Sequence, residues 1–188
     1  MSDPLPHGAP VVLRHYTRTA VALHWLVALL IAGGFTLGLV VGDLPFSPQK
    51  LKLINYHKWV GITVLALLLL RALWRLTHRA PALPPMPAWQ TFLAKLTHGL
   101  LYALMAAVPL LGWLFSSASG YRVVWLGLLP LPNLVAKNKL LADMLGDIHA
   151  TLAWLLFYVV LLHLAAALKH HFYDRDDTLR RMLRWART

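Results

Sequence analysis

The sequence contains no cysteine and no glutamate, and its seven acids are all aspartate. Without a thiol there is no disulfide, no covalently attached c-type haem, no thiolate-held iron–sulfur cluster and no cysteine nucleophile. Charge of either sign is scarce. Only 13% of residues are charged, against about 25% in an ordinary soluble domain. Apolar residues make up 59% of the 188, against about 45–50%, and the mean hydropathy is +0.59. This is the composition of a membrane protein. Lys plus Arg number 18, for a net charge of +11. In so apolar a chain, that excess reads as basic loops beside anionic headgroups rather than a nucleic-acid surface.

A hydrocarbon core about 30 Å thick takes about 20 mostly apolar residues in a helix. Four runs qualify, at about 20–41, 56–74, 98–116 and 148–168. A single all-α domain over 1–188 follows, an integral membrane four-helix bundle, because helices satisfy their own backbone in lipid. The first run is too long for a signal peptide and lacks a convincing cleavage site, so it reads as a retained helix. Pro109 should kink the third helix. The connection after it, "SASGYRVVWLGLLPLPNLVAKNKLLADMLGD", holds an apolar patch broken by Pro130 and Pro132. That patch is too short to span, and lies at the interface or caps the bundle. The chain has no internal repeat.

Four spans put both termini on one side. That side, with the middle loop, holds Arg14, Arg18, Arg71, Arg75, Arg79, Lys95, Lys169, Arg175, Arg180, Arg181, Arg184 and Arg187. The other side holds Lys50, Lys52, Lys58, Arg122, Lys137 and Lys139. The bias makes both termini cytoplasmic. Arg71 falls inside an apolar run, where it either snorkels to the inner surface or meets a buried anion.

No acid pair falls within the spans, so histidine is the main chemical resource. His149 and His163 are 14 residues apart on the fourth run. Fourteen residues come within about 40° of four whole turns, so both point to one face, about 21 Å apart along the axis. One metal ion cannot use both; two stacked cofactors can. His57 opens the second run at the depth of His149, and His24 lies about one turn into the first run at the depth of His163. Two bis-histidine clamps, His57 with His149 and His24 with His163, are what b-type haem needs. Zinc or copper would gather more ligands at one depth. A proton relay would not require two depth-matched pairs, and a haem-free channel or transporter would leave them unexplained. His7, His15 and His78 read as interfacial residues, as do His170 and His171. His98 is either interfacial, a further ligand, a propionate partner or part of a quinone site. Gly33, Gly34, Gly38 and Gly61 could let a flat macrocycle approach the backbone, or merely let helices pack.

The segments "ALHWLVALLI", "INYHKWVGI", "LTHGLLYALMAAVPLLGW", "DIHATLAWLLFYVVLLHLAAALKHHF" and "DDTLRRM" together resemble the bacterial cytochrome b561 family, from about residue 19 to 182. The family's haem ligands fall on His24, His163, His57 and His149. The resemblance implies a multi-pass protein of the bacterial inner membrane with two haem b groups, passing electrons between a donor and ubiquinone. One branch is a superoxide oxidase, which takes the electron from periplasmic superoxide. The alternative is a haem-bearing anchor that links a periplasmic dehydrogenase or hydrogenase to the quinone pool and so needs a periplasmic redox partner. The outer loops hold six basic residues against Asp43, Asp143 and Asp147, which suits an anionic donor. Lys58, Arg122, Lys137 and Lys139 are the candidates to meet it, if they are not simply solvated or propionate partners. The quinone is expected either near His98, Arg71 and His170 or near Trp125.

Overall fold

A computed structural model describes residues 16–78, 80–82 and 86–183. Arg14, Arg79, Arg184 and Arg187, with His7 and His15, lie outside the described residues. Four long helices carry the fold: α1 Arg18–Asp43, α2 Pro48–Thr77, α3 Ala88–Ala118 and α4 Lys139–Phe172; a short α5 follows at Arg180–Leu183. Each long helix is long and apolar enough to cross a membrane. Their 26 to 34 residues measure about 39–51 Å, more than the hydrocarbon core, so their ends reach past it.

All four helices begin before the apolar runs, and polar residues cap three of them. Thr17 accepts from the Ala20 N–H, Ser47 from the Lys50 N–H ahead of Pro48, and Asn138 from the Leu141 N–H. Each cap satisfies an orphan donor of the first turn. α3 runs unbroken through Pro109. The Pro109 ring lies 3.7 Å from where a Cβ on Gly61 would sit, so α2 passes close to α3 there.

The helices pack in sequence order, α1 on α2, α2 on α3, and α3 most extensively on α4. One cluster of buried residues draws on all four: Val27, Leu68, Leu101, Leu104, Met105, Leu156 and Val159. A smaller one, Ala118, Ala142 and Leu145, joins α3 to α4 at the far end. Leu29, Leu69, Leu73 and Leu162 face outward, as a lipid-facing surface requires.

The apolar connection after α3 folds into a hairpin that sequence reading did not anticipate. β1 (Val124–Trp125) pairs antiparallel with β2 (Leu129–Pro130). The turn places Leu126 at φ 54° and Gly127 at φ 74°, the left-handed pair that suits strand twist. The hairpin is pinned on α2: the Trp59 indole donates to Val124 O at 2.6 Å and the Trp125 indole to Thr63 Oγ1 at 3.1 Å. The apolar patch therefore caps the bundle. At the opposite end, the Trp25 indole donates to Met182 O and Arg181 to Ala82 O, both at 2.8 Å, tying α5 beneath α1 and the middle loop.

The chain leaves α3 through Gly120 at φ 83°. A side chain there costs roughly 1–3 kcal/mol through backbone strain. Gly120→Val is therefore expected to lower the thermal midpoint in detergent by circular dichroism. Gly99→Ala, on an open helix face, should leave it unchanged or raised.

Candidate functional site

Two layers of imidazole lie inside the bundle. Toward the hairpin end, His57 and His149 have ring centres 6.0 Å apart with planes at 89°. Toward the terminal end, His24 and His163 have ring centres 6.3 Å apart with planes at 63°. All four side chains are partly buried.

The hairpin-end layer is built by one device used twice. His57 Nδ1–H donates to Gly34 O of α1 at 2.9 Å, and His149 Nδ1–H donates to Val108 O of α3 at 2.9 Å. Four residues after each accepting carbonyl stands a glycine. A Cβ on Gly38 would lie 3.2 Å from His57 Cε1, and one on Gly112 would lie 3.0 Å from His149 Cε1. Each ring thus lies against a neighbouring helix where a side chain would crowd it. A carbonyl can only accept, so Nδ1 carries the proton and Nε2 is left with its lone pair. Metal-binding histidines are oriented in this way.

The terminal-end layer differs. His24 Nδ1 accepts from Arg71 Nη1 at 3.1 Å, and Arg71 Nε donates to the Tyr102 hydroxyl at 3.1 Å. Arg71 therefore turns into the bundle rather than snorkelling. His98 stands beside His163, ring centres 5.3 Å apart. It is exposed, and its Nδ1–H donates to Ala94 O at 2.6 Å.

A metal–imidazole bond is about 2 Å and the ring centre lies about 1 Å further, so two imidazoles on opposite sides of one ion have centres about 6 Å apart. Both pairs have that separation. The His57–His149 pair fits a bis-imidazole iron group as it stands, with a neutral nitrogen donor on each side; His24 would fit once its Nδ1 carried the proton and the Arg71 bond was given up. His98 and His163 are closer than this geometry requires.

The remaining histidines have other partners. His78 stacks on Trp74 at 3.9 Å. His170 Nδ1 lies 2.8 Å from Asp176 and 3.0 Å from Asp174, whose carboxylate also meets Lys169. Burial alone would raise the Asp176 carboxyl, but hydrogen bonds from Thr178 and His170 outweigh it and hold it below the usual range. His170, Asp174 and Asp176 lie within 4.8 Å of one another, but already satisfy each other as an ion cluster closing the end of α4. His171 packs edge-on against Phe172.

At the hairpin end, Lys139 pairs with Asp143. Lys58 lies over the Tyr121 ring at 5.8 Å, and Arg122 donates to Leu131 O. Among the described residues no acid forms an ion pair with Lys58, Arg122 or Lys137.

Sequence reading missed Val108 and Gly112. Of the glycines it singled out, Gly38 makes room for an imidazole, Gly34 meets Val60, Gly61 meets Pro109 and Gly33 meets nothing. A glycine four residues after a carbonyl, facing a histidine, is the signal, but the facing register comes only from the packed helices.

A membrane four-helix bundle with histidine pairs at two depths has the build of a membrane cytochrome. The chain belongs to the prokaryotic cytochrome b561 family, whose model matches residues 15–185. It is 36% identical over 172 residues to cytochrome b561 homolog 2 of Escherichia coli (strain K12), covering 89% of this chain and 90% of that one. It is 32% identical over 173 residues to cytochrome b561 homolog 1 of the same organism, covering 91% and 98%. It is 33% identical over 172 residues to the probable superoxide oxidase CybB of Yersinia pestis, covering 90% and 96%. This is therefore a haem-binding, multi-pass bacterial membrane protein of electron transfer.

Because Gly112 makes room for the His149 ring, Gly112→Val is expected to lower the haem recovered with purified protein. Gly99→Val should not. The reduced-minus-oxidised spectrum, scaled to protein, measures both.

Proposed function

We propose that the chain holds two haem b groups, one between His57 and His149 and one between His24 and His163. It would pass electrons from superoxide on the hairpin side to ubiquinone in the membrane, as a superoxide oxidase. The hairpin end then faces the periplasm and the termini the cytoplasm of the bacterial inner membrane. The observation that carries the reading is the pair of ring separations, 6.0 and 6.3 Å, at depths about 21 Å apart on α4. Bound haem would supply one-electron ferric–ferrous exchange, and a histidine from each of two helices would favour electron transfer over oxygen binding.

The chain's own residues supply orientation, dryness and charge. The Gly34 and Val108 carbonyls hold two ligands in the tautomer that leaves Nε2 for iron. The hairpin lies against α2 at Trp59 and Thr63, beside His57, limiting water at that layer. Lys58, Arg122 and Lys137, free of acid partners among the described residues, make a positive approach for a small anion. Each superoxide loses one electron and becomes dioxygen. Ubiquinone takes two such electrons and two protons to become ubiquinol. The relative named probable superoxide oxidase supports this donor.

His57→Ala or His149→Ala is expected to lose one haem and keep the other. His24→Ala or His163→Ala should lose the complementary one. Four single variants that all keep two haems would sink the ligand assignment. Superoxide generated beside purified protein should reduce the haem. Lys58→Ala combined with Arg122→Ala should slow that reduction about threefold to tenfold at low salt, with the gap closing as salt screens the charges. Reduction no faster than in a ligand-free variant rules superoxide out as donor.

A further inference from the structure

Arg71 stands 14 residues after His57 on α2, the same step that separates His149 from His163 on α4. That step returns to the same helix face about 21 Å along. α2 therefore turns an imidazole into the bundle at one layer and a guanidinium at the other. No acid among the described residues forms an ion pair with Arg71 or with Arg75 one turn later. Beside them lies a cavity of about 40 Å³, lined by Tyr16, Arg71, Trp74, Arg75 and Tyr102 among others, with no carboxylate among the described residues of its wall.

The bond from Arg71 to His24 lasts only while His24 Nδ1 is an acceptor. A neutral histidine that binds iron through Nε2 carries its proton on Nδ1. The guanidinium must then let go, and a cation inside a span needs a partner. The cavity has room for a few waters. Its guanidinium and hydroxyl lining suits a carboxylate or a phosphate oxygen. The preferred partner of a guanidinium is such an oxyanion, held by two parallel N–H donors.

We propose that Arg71, backed by Arg75 and the Tyr102 hydroxyl, is an oxyanion site that receives a propionate arm of the porphyrin bound between His24 and His163. The proposal rests on the haem assignment above. A phospholipid phosphate at the membrane boundary offers the same chemistry and is the rival source.

The test uses the full chain in nanodiscs of neutral lipid, loaded either with haem or with haem whose propionates are esterified. Transfer to apomyoglobin gives the rate of haem loss. From wild-type protein, a slow phase for haem should become at least about tenfold faster for the ester, since a charge-assisted pair is lost. Arg71→Gln should speed haem loss similarly and leave the ester's rate unchanged, with Arg71→Lys in between. Equal rates for haem and ester in wild-type protein overturn the proposal without any variant. An Arg71→Gln effect that is the same for both, and that grows with added anionic phospholipid, also overturns it and assigns the site to lipid phosphate. Wild-type protein that binds no haem overturns the haem assignment itself. Bound haem indifferent to Arg71 overturns only the propionate site.

Discussion

An imidazole in hydrocarbon has two nitrogens, and each needs a partner. That constraint organises the bundle. At the hairpin-end layer, a backbone carbonyl takes the Nδ1 proton of His57 and another takes that of His149. Both carbonyls come from the helix paired with the histidine's own, α1 for α2 and α3 for α4. The glycine four residues on lets the ring close on that carbonyl. Helix pairing, glycine placement and histidine tautomer are thus one requirement seen three ways. A β-branched residue at Gly38 or Gly112 would force the ring away and leave an unsatisfied donor in the membrane interior.

The two layers solve the same problem with opposite polarity. Backbone acceptors at His57 and His149 make the rings richer donors toward a metal. At His24 the neighbour is a guanidinium, which can only donate. The terminal-end layer therefore cannot be a copy of the other. To bind a metal through Nε2, His24 would have to be an imidazolate or be released by Arg71. The absence of any ion-paired acid at Arg71 among the described residues favours an anion that arrives with the ligand.

Much of this was legible in the sequence. The four helices followed from apolar length, since lipid allows few alternatives. The histidine quartet followed from the 14-residue step and from matching depths, which depend only on helix rise and direction. What was not legible depends on the rotation of one helix against another. Gly112 looks like any small residue of a membrane helix until His149 is seen against it. Arg71 offered two readings because its helix could have been turned either way. The hairpin escaped because strands of two residues carry no periodicity, and it is held by Trp59 of α2 donating to Val124 O and by Trp125 donating to Thr63 of α2, contacts far apart in sequence. His170 read as interfacial because the chain reversal that brings back Asp174 and Asp176 is invisible in a linear pattern.

Between the layers, α1 and α4 meet through aromatics. Phe35 stacks on Phe157 with centres 4.7 Å apart and planes at 8°, and Trp154 meets both edge-on. Phe157 falls between His149 and His163 along α4, so the stack occupies the gap that separates the two imidazole pairs. Such ring pairs contribute about 0.5–1.5 kcal/mol beyond simple burial. The stack also holds α1 to α4 where neither helix is the other's main packing partner. That contact fixes His24 of α1 opposite His163 of α4. Both pairs join helices that are not neighbours in sequence, α2 with α4 and α1 with α4; the carbonyls and glycines orient the first, and the aromatic contact helps to hold α1 against α4 for the second.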